Sequence, residues 1–179
     1  YDIRGIEGVY TDAGNAVTHG AVVSGTVVND AGAYVWKAGD RAVKNQIMKI
    51  SGEAVSEERN SLAVCLDTIL AYEGVPRNTA YMLQQGSTAV DILKNNLPNA
   101  QVLELSGCSL NTVLYYVNRD IPVLAMLNDG NAVLIVGFNE LNTVLMDPLT
   151  GEVYKKGIND STEWFAENGN SFLTYIRKE

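Results

Sequence analysis

Ser61-Leu-Ala-Val-Cys-Leu-Asp-Thr-Ile-Leu-Ala-Tyr-Glu-Gly74 is the stretch on which the fold turns. Leu62, Cys65, Leu66, Ile69 and Leu70 recur at helical spacing. Asn60-Ser61 supplies capping side chains in front, while Gly74 and Pro76 stop the helix behind.

Downstream, helical patterns continue over residues 79–85 and 87–97, the latter closed by Pro98. A short alternating strand follows at 101–105, and a helix over 109–119 has Ser109 as its cap. The last third is strand-rich. Apolar runs at 122–127 and 132–138 flank the turn Asn128-Asp-Gly-Asn131, and further strands are expected at 143–147, 152–155 and 171–177. A short helix is expected at 161–167. Helices first and an antiparallel sheet after give an α+β domain over residues 53–179.

Upstream, residues 1–50 are richer in Gly, Val and small polar residues. Asp12-Ala-Gly14 recurs eighteen positions later as Asp30-Ala-Gly32, each time between β-branched residues. An aspartate that bonds its own backbone and a glycine free to take positive φ suit a tight turn. Two β-hairpins are therefore expected, forming a small β-rich module that needs support from the following domain. Tyr34 and Trp36 alternate with Val35, so they are expected to share a strand face that docks the module.

Composition narrows the function. The 179 residues are 46% hydrophobic, enough for one compact domain with a small appendage. With 13 Lys and Arg against 21 Asp and Glu, the net charge is −8, which argues against nucleic acid or an anionic membrane as partner. No apolar run approaches the roughly 18 residues of a membrane helix. Two cysteines, Cys65 and Cys108, cannot make a disulfide framework, although one bridge between them is open. The single histidine, His19, leaves no metal-binding spacing, so neither metal nor other cofactor is expected. A start at Tyr1 rather than Met suggests a piece of a longer or processed protein.

The order of blocks resembles the papain-like cysteine peptidase superfamily, and within it the bacterial double-glycine leader (bacteriocin-processing) peptidases. Those enzymes carry Cys-Gly-Pro-x-Ser-Leu-x-x-x-Leu-x-Tyr-x-Gly at the catalytic helix, then an Ile/Lys-Pro-Val strand, a Gly-His-Ala-Val-x-x-x-Gly strand and an Asp-Pro. Here Leu66, Leu70, Tyr72 and Gly74 fall in register, followed by Ile121-Pro-Val123, Gly130-Asn-Ala-Val-Leu-Ile-Val-Gly137 and Val144-Leu-Met-Asp-Pro148. The resemblance covers about residues 58–179 and implies a papain-like fold, with N-terminal helices packed on an antiparallel sheet. It puts Ser61 at the cysteine position, Asn131 at the histidine position and Asp147 at that of the orienting carboxylate.

The departures then decide which chemistry to expect. A cysteine in the first turn of a helix is a better thiolate because the dipole and free N–H groups favour negative charge. Serine gains nothing comparable without a base, and asparagine cannot take its proton near neutral pH. Leu62-Ala63 replaces the Gly-Pro, and residues 55–60 hold no glutamine for an oxyanion hole. The expected protein is thus an inactive, pseudopeptidase domain, binding a peptide or protein segment in the remnant cleft through Ser61, Asn131 and Asp147. Related non-cutting domains of transporter systems imply as much.

Plainer readings stand beside this one. Ser61 can be only a helix cap, Asn131 only a turn residue, and Asp147 only a turn-former before Pro148. Cys65 lies on the apolar stripe and Cys108 just before a cap, so burial suits both, yet either could be the nucleophile of an active cysteine peptidase. A structural module of a larger cell-surface protein is the third possibility. The family's frequent export implies a bacterial, extracytoplasmic or cell-surface location.

Overall fold

The computed structural model describes residues 1–6, 8–39 and 60–178. Most of the 55–60 segment that lacks an oxyanion-hole glutamine lies outside them.

The chain opens with β1 (Asp2–Ile3), α1 (Ala13–Val22), β2 (Thr26–Val28) and β3 (Tyr34–Lys37). Three helices come next: α2 (Ser61–Tyr72), α3 (Thr79–Gln84) and α4 (Ala89–Asn96). Then come β4 (Ala100–Glu104), α5 (Leu110–Asn118), β5 (Val123–Met126), β6 (Ala132–Phe138) and β7 (Asn142–Met146). The chain closes with β8 (Val153–Gly157), α6 (Ile158–Glu167) and β9 (Ser171–Arg177). The large sheet has the order β4-β9-β5-β6-β7-β8, every neighbour antiparallel. This is the expected α+β architecture, with helices packed on an antiparallel sheet.

Helix α2 is central because its sequence leaves it no polar face. Ala63 through Leu70 are all buried, including Asp67 and Thr68. Asp67 is tolerated because Thr79, at the start of α3, donates both its N–H (3.0 Å) and its hydroxyl to that carboxylate. Gly74 at φ +81° ends the helix, and the Val75 N–H returns to Leu70 O at 2.8 Å. The helix packs on β6, whose seven residues are all buried between β5 and β7. An unbroken apolar run is what a strand covered on both faces requires.

The N-terminal module departs from the two-hairpin expectation. Asp30-Ala-Gly32 does turn β2 into β3: Asn29 Oδ1 accepts the N–H groups of Ala31 and Ala33, both at 3.0 Å. Asp12-Ala-Gly14 instead starts helix α1, where Asp12 Oδ2 accepts the Asn15 N–H at 2.9 Å. The tripeptides are chemically alike, so the residues next to them decide. Ala13, Ala16, Val17 and Gly20 lie at helical spacing and are buried, whereas Tyr34–Lys37 form a strand. Glycine at 14 serves close approach, since a Cβ there would stand 2.8 Å from Ser106 O.

The shared face of Tyr34 and Trp36 also fails, for a physical reason. The β2–β3 register slips between Val27 and Val28, so Val27 pairs Trp36 while Val28 pairs Tyr34. Val35 and Trp36 both bury, and Tyr34 is left 48% exposed. Docking rests on Trp36, whose Nε1–H donates to Thr112 O at 2.9 Å, and on the Tyr116 hydroxyl, which donates to Val35 O at 2.8 Å. Ile3, Val17, Val35 and Trp36 join one continuous apolar core with α2, α5 and the large sheet.

Candidate functional site

The first turn of α2 abuts the first residue of β6. Asn60, not Ser61, caps the helix: its Oδ1 accepts the Ala63 N–H at 2.9 Å. That frees the Ser61 side chain for another partner. Its hydroxyl donates to Asn131 Oδ1 at 2.9 Å and accepts the Ala132 N–H at 3.0 Å. Ser61 is 5% exposed, whereas Asn131 is exposed. Residues seventy positions apart, matched to nucleophile and base by sequence alone, are in direct contact.

Asn131 is held by the loop that delivers it. Leu127 N–H donates to Asn131 O at 2.8 Å, and Gly130 takes the positive φ of +84° that the turn demands. Asp129 Oδ1 accepts the Asn131 N–H at 3.0 Å. This bond, with a further one from the Asn131 side chain, holds the Asp129 carboxyl below the ordinary carboxylate range. The Asn131 amide thus turns its oxygen to a hydroxyl donor and its nitrogen to a carboxylate, the orientation that satisfies both ends. Sequence reasoning passes over Asp129; the Asn-Asp-Gly-Asn turn is its only signal.

Asp147 does not join the pair. It lies one residue past the Leu134–Met146 partners on the β6–β7 ladder, half-buried. Its Oδ1 accepts the Leu149 N–H at 2.8 Å, and its backbone O accepts the Gly151 N–H at 2.7 Å. The carboxylate therefore shapes the turn before β8.

Chemically, the junction has a hydroxyl at a helix N-terminus whose partners among the described residues, Asn131 Oδ1 and the Ala132 N–H, cannot remove its proton. The proton is already directed at an amide oxygen, which is not a base at any working pH. His19, the chain's only histidine, lies on α1 with its ring stacked on Tyr10 at 5.8 Å. Both thiols are free rather than bridged. Cys65 is fully buried in α2, and burial pushes its thiol far above the ordinary range. Cys108 is buried between α1 and α5, with Sγ 3.4 Å from Thr18 Oγ1 and 3.5 Å from Gly14 O. Burial raises its thiol too, against a smaller lowering by Thr18. Among the described residues no group of His, Cys, Asp or Glu could hold a metal ion, and no helix is long and apolar enough to cross a membrane.

No protein-family model and no curated protein matches the chain. Solved structures do. A C39-like peptidase, so assigned, from Bacillus anthracis superposes with TM-score 0.66 at 14% identity, covering 77% of this chain and all of that one. A double-glycine motif protease from an AMS/PCAT transporter, solved with its leader peptide, gives TM-score 0.49 at 15% identity, with 76% and 100% coverage. The fold of this chain is therefore the papain-like α+β fold of C39-like peptidases.

Proposed function

We propose that this chain is a papain-like domain that no longer cuts peptides and instead holds a peptide or protein segment at the remnant cleft. One observation carries the reading: the Ser61 hydroxyl donates its hydrogen bond to Asn131 Oδ1, an amide oxygen, at the place where a peptidase of this fold needs a base. Loss of nucleophile and base lowers turnover on the order of 10⁴-fold or more. The alternative of an active cysteine peptidase through Cys65 or Cys108 finds little support. Both thiols are buried and raised away from the thiolate.

Within this reading the three residues divide their work. Ser61 faces inward and ties α2 to β6, so contact with a segment falls to exposed Asn131 and half-buried Asp147. The test is a fluorogenic peptide library offered to the wild-type domain, with an immobilised copy scored for binding. Retention without cleavage is expected. Turnover that vanishes in Ser61→Ala would sink the proposal.

A second reading, a structural module of a larger protein, is favoured by the near-complete burial of Ser61. It predicts that the same library is neither cut nor retained.

A further inference from the structure

The two edges of the six-stranded sheet are treated differently. Edge strand β4 is covered by the N-terminal module, where Asn29 donates to the Gln101 side chain at 2.8 Å and Gln101 donates to the Tyr1 hydroxyl at 3.0 Å. Edge strand β8 pairs with β7 on one side and, among the described residues, with no strand on the other. Its ladder shows which groups that edge offers. The Asp147 N–H donates to Glu152 O and the Ile158 N–H to Leu141 O, both at 2.8 Å, and antiparallel bonds recur at every second residue between them. Glu152, Tyr154 and Lys156 therefore turn their backbone groups to β7, while Val153 and Lys155 turn theirs away from the sheet. Glu152 through Lys155 are all exposed, so this edge is an open template for another strand.

The side chains decide which strand fits. Alternation puts Glu152, Tyr154 and Lys156 on one face, the face of α6, where the Lys156 ammonium lies 4.8 Å from the centre of the Trp164 ring. Among the described residues neither Glu152 nor Lys156 has an ion-pair partner. Laid antiparallel about Tyr154, an identical strand sets Glu152 opposite Lys156, Tyr154 opposite Tyr154 and Lys156 opposite Glu152. Val153 and Lys155 then face each other and exchange their outward N–H and C=O groups. Opposite charges and aromatic pairs across two strands are each favourable. Asp147, paired with Glu152 on β7, adds a carboxylate at the end where the other copy's Lys156 arrives. At the lysine end, Lys155 and Lys156 outnumber Asp160, which lies by Gly157 at the start of α6. A shift of two residues one way puts Lys155 opposite Lys155, and the other way puts Glu152 opposite Tyr154, so the match belongs to one register.

We propose that β8 pairs with the β8 of a second copy of this chain, antiparallel about Tyr154, joining two six-stranded sheets into one. The inference stands independently of the reading given to Ser61 and Asn131. The contact is one strand wide and each copy carries a net charge of −8, so the dimer is weak, with a Kd on the order of 100 μM.

The test is sedimentation equilibrium of the whole chain from about 10 μM to 1 mM, a range that brackets such a Kd. A monomer–dimer equilibrium is expected. Lys155→Pro removes an outward N–H and none that β7 uses, so it should abolish the dimer while leaving the sheet's own ladder intact. Glu152→Lys alone and Lys156→Glu alone each set like charges opposite one another and should weaken the dimer about tenfold. An equimolar mixture of those two variants restores opposite charges in both pairs and should recover the wild-type affinity. Glu152 is exposed, so Glu152→Lys keeps the fold and carries the test even where Lys155→Pro does not. A monomer at every concentration, which would leave the edge to a strand of another protein, would overturn the proposal. So would a dimer indifferent to Glu152→Lys, or a mixture no tighter than its two components.

Discussion

Ser61 and Asn131 meet at 2.9 Å where α2 and β6 begin, and the same hydroxyl takes the buried Ala132 N–H at 3.0 Å. The contact is a structural tie, which sets an unequal cost for its two ends. Ser61→Ala strands the Ala132 N–H without an acceptor, expected to cost about 1–3 kcal/mol. Asn131→Ala removes two bonds at an exposed side chain, the one from Ser61 and the one to Asp129, where water can replace the lost amide, expected to cost about 1 kcal/mol or less. Urea denaturation with an unchanged m-value measures both. Equal costs would mean that the amide N–H has found another acceptor.

The same geometry predicts what restoring the pair would do. In Ser61→Cys with Asn131→His, a thiol in the first turn of α2 would stand beside an imidazole. Helix dipole and base should then lower the thiol pKa by about one unit or more relative to Ser61→Cys alone. The readout is the pH dependence of iodoacetamide labelling, with Cys65 and Cys108 silent because they are buried. Identical profiles for the single and double variants would show that the positions touch without the alignment of a nucleophile and its base.

Much of the site is legible in the sequence because it depends on local signals. Asn60 as a cap, Gly74 as a stop and the Asn-Asp-Gly-Asn turn each follow from neighbouring residues, and β6 announces itself as a fully buried strand. The features that escape depend on longer-range packing. Helix α1 and the β2–β3 turn begin with the same tripeptide, and only the residues packed behind them separate the outcomes. The slip that turns Tyr34 outward is a register event without a local sequence mark.

The two thiols give the domain a pH dependence of definite sign. Burial raises both above their unfolded value, so the unfolded chain ionises first. Their contribution is fully present below the unfolded thiol pKa of about 8.5 and is lost as pH rises above it. Stability should therefore fall between about pH 8.5 and 10, before the tyrosines add their own effect. In Cys65→Ala with Cys108→Ala the curve should be flatter in that window, although lower overall from the cavities left. A slope unchanged by the substitutions would mean that the alkaline loss comes from other groups.

Whether the N-terminal module and the sheet unfold together can be read from Trp36. Its ring is 6% exposed, its Nε1–H is bonded to Thr112 O, and Tyr115 stands 6.2 Å away, so it joins the two parts through both packing and a buried polar bond. Trp36→Ala should cost about 3–5 kcal/mol, as large aromatic truncations in a core do. Trp36→Phe keeps most of the packing and loses the hydrogen bond, for about 1–2 kcal/mol. The chain's other tryptophan, Trp164 on α6, then remains as a fluorescent reporter in the sheet-bearing part. If the core is continuous, the Trp164 transition moves to lower urea by the full cost of the substitution at Trp36, in one step. If Trp164 keeps its wild-type midpoint while circular dichroism records an earlier loss, the module at residues 1–39 unfolds alone, and the shared core does not couple the two parts.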